Sequence, residues 1–143
     1  MVVFALAAMF LPTIINAIND KKLEKKYNEW REEIVKRNKP VDANEFLNTY
    51  VRYDFEGVYI IHNINKDKYY VGQSINVVGR VRNHLKGKGN GDVYADFKYG
   101  DNFEVILIAL QDTEYQYLND LERHCIAAYH AFEEGYNKNR GNS

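Results

Sequence analysis

Residues 57–74 read GVYIIHNINKDKYYVGQS, and the fold turns on how this stretch pairs. β-Branched and aromatic residues dominate 57–64, Asn65-Lys66-Asp67-Lys68 is turn material, and YYVGQS (69–74) returns to strand composition. Val, Ile and Tyr fit a pleated, half-buried surface and a run of Asn, Lys and Asp does not, so the pattern predicts an antiparallel hairpin. Two triads sit inside it, Gly57-Val58-Tyr59 and Tyr70-Val71-Gly72, with ten residues between them. The hairpin brings Tyr59 and Tyr70 near one another.

Working outward, Asn76 is placed to cap a helix through VVGRVRNHL, whose apolar face is Val77, Val78, Val81 and Leu85. Arg80 and His84 are four residues apart and share a second face, while Arg82 points elsewhere. Gly87-Lys88-Gly89-Asn90-Gly91-Asp92 is a loop with two open uses, close approach to a nucleic-acid backbone or flexible connection. Val93–Tyr99 reads as a short helix ended by Gly100. FEVILIAL, 103–110, is an apolar run of strand length expected in the middle of the sheet. Glu114–Phe132 reads as a last helix with Leu118, Leu121, Cys125, Ile126 and Ala128 inward. The expected fold class is α/β of the α+β type. It has a small three-stranded, mainly antiparallel sheet flanked by helices and a helical N-terminal extension.

Upstream, residues 1–19 carry no charge, and Lys21, Lys22, Lys25 and Lys26 follow directly. This segment is open to three readings: a membrane anchor, a buried or docking helix, or a cleaved signal. An anchor with lysines behind it leaves the rest of the chain cytoplasmic, at the inner face of the membrane. From Asp20 to Asn38 the apolar residues Leu23, Tyr27, Trp30 and Ile34 form one helical stripe, suited to packing on the following domain or to a short coiled coil. Pro40 breaks this helix, and Asp42 with Glu45 starts another expected to run to about Arg52. The chain thus divides into a hydrophobic segment (1–19), a helical connector (20–55) and a catalytic domain (56–143).

The chain has 143 residues, 45% hydrophobic and 27% charged, which suits one globular domain and excludes wholesale disorder. Lys+Arg 19 against Asp+Glu 20 gives a net charge of −1, so affinity for nucleic acid by bulk charge is excluded. Residues 57–143 repeat the balance, with ten Lys/Arg and eleven Asp/Glu. Basic residues do gather locally, as Arg80, Arg82, His84, Lys86 and Lys88, enough to hold a few phosphates. The single cysteine, Cys125, excludes an internal disulfide and reads as a core thiol, and no Cys/His spacing suits zinc.

With its paired triads the sequence resembles the GIY-YIG nuclease family, named for that motif, with Val for Ile at both centres. The likeness covers residues 57–138. The family's arginine after the hairpin corresponds to Arg80, its histidine one turn on to His84, its later helical glutamate to Glu122 in LNDLERHCIAAY, and its final asparagine to Asn137 in GYN. The resemblance implies a metal-dependent DNA endonuclease that leaves 3′-hydroxyl and 5′-phosphate ends. Tyr59 would take the proton from the attacking water, with His84 accepting or relaying it or itself serving as the base, and Tyr70 would help to hold phosphate and water. A guanidinium fork such as Arg80 matches phosphate oxygens. Glu122 suits a lone anchor for Mg²⁺, with Mn²⁺ as a substitute, the rest of the shell being water and phosphate oxygen. Arg82, Lys86 and Lys88 are the expected DNA contacts. Asn137 suits orientation rather than proton transfer. His62, His124 and His130 read as surface or packing residues. Two rivals stand beside this reading: a non-cleaving nucleic-acid-binding or scaffold protein on the same fold, and a membrane-tethered nuclease acting on transported DNA. With no motif for sequence-specific recognition, such a module would cut with low specificity, recognise DNA structure or depend on a partner protein for targeting.

Overall fold

A computed structural model describes residues 2–49 and 51–142, with side chains described from residue 13. Its elements in chain order are α1 (Val2–Arg37), β1 (Val41–Asp42), α2 (Ala43–Asn48), β2 (Gly57–Asn63), β3 (Lys68–Ser74), α3 (Val77–Leu85), α4 (Gly91–Tyr99), β4 (Phe103–Ala109) and α5 (Leu118–Ala128). The hairpin forms as expected, with a four-residue turn at 64–67. All strand pairings are antiparallel and the order is β1-β4-β2-β3.

Among the described residues the sheet therefore has four strands, not three. The extra strand is the two-residue β1, where Val41 pairs with Val105 and Asp42 with Glu104. Two residues show no periodicity, and these two directly follow a helix-breaking proline, the second being itself the cap of α2. β2 and β4 occupy the centre, so β3, which carries Tyr70 and Gly72, is an edge strand.

Alternation along β2 sends Val58 and Ile60 to one face of the sheet and Tyr59 and Ile61 to the other. The first face packs with Val71, Ile106 and Ile108 against Leu121, Cys125 and Ile126 of α5 and Ile34 of α1. The second packs against Phe46, Val77, Val78, Val81, Leu85 and Val93 from α2, α3 and α4. Helices thus cover both faces of the sheet. Cys125 is fully buried, which pushes its thiol pKa up and marks it as core.

The stripe on α1 docks only in part. Ile34 is buried, Trp30 lies 4.2 Å from the His124 ring, and Tyr27 meets His124 and His130 edge-on. Glu24 joins the same contact, 2.9 Å from both Arg31 and His130. Leu23 is exposed instead, because a 36-residue helix outruns an 11-residue partner at ~1.5 Å per residue. The anchor reading falls on residues 1–19, and Met1 and the side chains of 2–12 lie outside the described residues. Among the described residues no helix is long and apolar enough to cross a membrane.

Helix ends differ from expectation in informative ways. Asp42 caps α2 as expected, its carboxylate accepting from the N–H groups of Asn44 and Glu45, but α2 stops at Asn48 rather than Arg52. α5 is shorter than 114–132. It starts only at Leu118, and beyond Ala128 His130 adopts a left-handed φ of 50°. Asn76 makes no side-chain cap on α3. That cap comes from Asp54, whose two carboxylate oxygens accept from Val78 N and Gly79 N, each at 2.9 Å. An anion facing the N–H end of a helix gains from the unpaired donors and the macrodipole together. Asp54→Ala is therefore expected to destabilise the fold by about 1–2 kcal/mol, against about 0.5 kcal/mol or less for Asn76→Ala, measured by urea unfolding.

Candidate active site

Tyr59 is opposite Gly72 on β3, not opposite Tyr70, which pairs with Ile61. The two tyrosines are diagonal neighbours on one face, with ring centroids 6.2 Å apart. Tyr59 reaches this place by lying across Gly72, where a Cβ would overlap its ring and hydroxyl. The motif glycine is thus a space for a tyrosine. Its register also explains the order of the two triads: Tyr59 needs a glycine facing it, and the second tyrosine two residues earlier on β3.

His84 enters from α3. Four residues after Arg80, it turns inward with Val81 and Leu85 and is fully buried. Its Nε2 is 2.9 Å from Tyr59 Oη, and its Nδ1 accepts a hydrogen bond from Asn90 N at 2.9 Å. Tyr70 packs on the same ring, with centroids 4.8 Å apart. Arg80, one turn earlier, is exposed at the mouth of the site. Burial raises the pKa of both tyrosines and lowers that of His84, and the Arg80 charge works against burial at the tyrosines and with it at His84.

Burial outweighs that effect at Tyr59, whose phenol is pushed well above the ordinary tyrosine value. Burial, with the Arg80 charge second, pulls His84 down to about 4. The imidazole is therefore neutral at pH 7, more completely than an ordinary histidine would be.

Glu122 comes from α5, on the other face of the sheet, and reaches the site around the β3 edge. It is buried, and burial raises its pKa against hydrogen bonds from Gln73 and the Asn142 backbone. Its charge is felt at both Tyr59 and Tyr70. The neighbouring Arg123 is engaged by Asp120 and does not neutralise it. Among the described residues no three His, Cys, Asp or Glu side chains converge as a metal cage, so Glu122 stands as a lone carboxylate.

Asn137 makes both of its bonds to Val71, accepting from Val71 N and donating to Val71 O, each at 2.8 Å. Its carboxamide acts as one more rung on the open edge of β3, fixing the strand between Tyr70 and Gly72. Arg82 is turned away from the tyrosines. Its Nη2 donates to Thr49 O at 2.5 Å and its guanidinium sits over Phe46, tying α2 to α3. Lys86 and Lys88 are exposed at the end of α3. His62 lies stacked on Tyr69 between Glu104 and Asp67, and His124 and His130 pack against α1.

Gly89, Asn90 and Gln73 are the residues that sequence reasoning missed. The glycine loop is not a flexible connector: Gly89 lies against the His84 ring, where a Cβ would overlap it. Asn90 caps α4, its Oδ1 accepting from Asp92 N and Val93 N at 3.0 Å. An Asn directly before the helical stretch 91–99 was the available signal.

Two tyrosines, a guanidinium, an imidazole and a buried carboxylate at one sheet edge are the equipment of a centre that handles a phosphate ester. A family model, the GIY-YIG catalytic domain, matches residues 55–137, more than half of the chain. The protein belongs to the GIY-YIG family of nucleases. No curated protein and no solved structure matches the chain.

The low pKa of His84 has a consequence for stability. A histidine whose folded value lies below its unfolded value of about 6.5 contributes stability above that pH and loses it as pH falls toward 4. Between pH 7 and pH 4 the wild type is expected to lose roughly 2–3 kcal/mol from this group. The loss should be absent in His84→Gln, as measured by denaturant unfolding across that pH range.

Proposed function

We propose that this protein is a metal-dependent DNA endonuclease, in which Tyr59 and His84 activate water, Arg80 stabilises the phosphate and Glu122 holds Mg²⁺. The observation that carries the reading is Glu122, a buried carboxylate with only neutral hydrogen-bond donors around it. A scaffold protein gains nothing from such a charge, whereas a hard cation compensates it. A single carboxylate fits Mg²⁺, or Mn²⁺ in its place, because these ions keep several waters and take further oxygens from phosphate. Bound there, the ion supplies neutralisation of charge developing on the phosphate. One ligand also implies weak metal binding without DNA.

Arg80 is exposed and pointed at the site mouth, as a group must be to meet a phosphate arriving from solvent. Tyr59 faces the same place from inside. Its raised pKa means that the phenolate exists only where donors hold it, and Arg80 is one such donor. Tyr70, less deeply placed, holds phosphate and water. Asn137 keeps β3 in register with these groups. Lys86 and Lys88 contact the DNA backbone, and the 3′-hydroxyl and 5′-phosphate products are those the family implies. Without a recognition motif, the choice of cut site rests on DNA structure or on a targeting partner.

A second reading, tethering of this nuclease to a membrane so that it acts on transported DNA at the inner face, is supported by one observation. Ile14, Ile15 and Ile18 are exposed on the projecting part of α1, immediately before Lys21, Lys22, Lys25 and Lys26. Apolar residues followed by lysines suit the boundary between acyl chains and anionic headgroups.

The nuclease reading is checked by nicking of supercoiled plasmid in Mg²⁺. Glu122→Ala is expected to cut at least about 100-fold more slowly than wild type. Equal rates in the two proteins would reject the mechanism and favour a non-cleaving scaffold. The tether is checked by flotation with anionic vesicles, in which the full chain is expected to float and a version beginning at Asp20 to remain behind. Identical behaviour of the two would reject it.

A further inference from the structure

His84 has no exposed atoms, and each of its ring nitrogens has one partner. The partner of Nδ1 is the backbone N–H of Asn90, at 2.9 Å. A peptide N–H can only donate, so Nδ1 is an acceptor and carries no proton. Neutral imidazole has a single ring proton, and it is therefore on Nε2. Nε2 lies 2.9 Å from Tyr59 Oη, so the hydrogen bond between them runs from histidine to tyrosine.

The arrangement around Asn90 makes this direction hard to reverse. Its side chain is committed to the first turn of α4 through Asp92 N and Val93 N, and its Nδ2 donates to Tyr136 O at 3.4 Å. The backbone N–H is thereby held in line with Nδ1. Gly89, just before it, lets the loop lie flat on the imidazole where any side chain would collide. Flipping the proton to Nδ1 would set two N–H groups against each other. Protonating both nitrogens would do the same, and would place a second cation in a buried space beside Arg80.

We infer that His84 serves Tyr59 as a hydrogen-bond donor rather than as the acceptor of its proton, and that Gly89 and Asn90 are the positioning residues that set this direction. Nε2–H then stabilises negative charge on Tyr59 Oη together with the Arg80 guanidinium. The hydrogen of the neutral phenol then points away from His84; Tyr70 lies beside it on the same face of the sheet, with ring centroids 6.2 Å apart. His84 thus favours the phenolate without taking up the proton, which passes to solvent water at the mouth of the site. The catalytic part of this inference rests on the nuclease reading, whereas the proton's place on His84 does not.

Two measurements test it. The first is ¹⁵N NMR of the full chain with labelled histidine at pH 7, where the two-bond N–H couplings report which nitrogen is protonated. Nε2–H is expected at His84, and either Nδ1–H or the imidazolium would overturn the inference. The second is cleavage by His84→Gln beside His84→Ala. A glutamine side chain can donate its amide N–H to Tyr59 but cannot serve as a base. His84→Ala should be roughly 10- to 100-fold slower than wild type, the worth of a hydrogen bond to a charged group, and His84→Gln should recover most of that loss. A folded His84→Gln as slow as His84→Ala overturns the donor role. If wild type cuts no DNA, the nuclease reading fails while the NMR result still decides the direction of the bond.

Discussion

A phenol hydroxyl placed in the middle of a small domain must find hydrogen-bond partners there, because an unpaired buried polar group costs about 1–3 kcal/mol. Tyr59 is such a group, at 2% exposure. Much of the neighbouring architecture answers to it. β3 gives up a side chain at Gly72 so that the ring can lie across the strand. α3 turns a histidine inward to meet the hydroxyl, and the loop after α3 sends a backbone N–H to meet the histidine. The chain of dependence ends at the α4 cap, where Asn90 is held by an ordinary helix-capping interaction. Local secondary-structure chemistry at one end therefore fixes the direction of a hydrogen bond in the centre of the site.

The site is built across the edge of the sheet rather than on one face. The tyrosines, Arg80 and His84 belong to the layer of α3 and α4, and Glu122 belongs to the layer of α5. Only at an edge strand can groups from the two layers approach one another without passing through the sheet. β3 is that edge, and an open edge carries unpaired backbone groups. Asn137 covers one of these positions at Val71 and so stabilises the strand from which the site is made. The same edge leaves Arg80 facing solvent, where a polymeric substrate can reach it, while Tyr59 stays dry.

The hairpin, the central strand at 103–109, the helix after the hairpin and the inward face of α5 were all legible, because each rests on a period of apolar residues that burial enforces. The set Tyr59, Tyr70, Arg80, His84, Glu122 and Asn137 was named through resemblance to the family, which the paired triads carry. What escaped was tertiary. Two-residue β1 has no pattern to read. The α3 cap comes from Asp54, 24 residues before the Val78 N–H that it accepts, where local capping rules point to Asn76. Arg82 looked like a phosphate contact by its charge, but the helix turn aims it at Thr49 and Phe46.

By itself the sequence determined the strand and helix periods, since those follow from the geometry of 2.0- and 3.6-residue repeats, and it carried the paired triads, through which resemblance to the family named the polar residues of the site. It also determined that charge in bulk could not bind DNA. Only the tertiary structure decided which tyrosine is buried, that Tyr59 faces Gly72 rather than Tyr70, and which nitrogen of His84 holds the proton. Protonation and pKa depend on what surrounds a group in three dimensions, and the partners involved here lie 6 and 25 residues from His84 along the chain. A one-dimensional pattern names the groups, and the packed protein sets the direction in which each one donates.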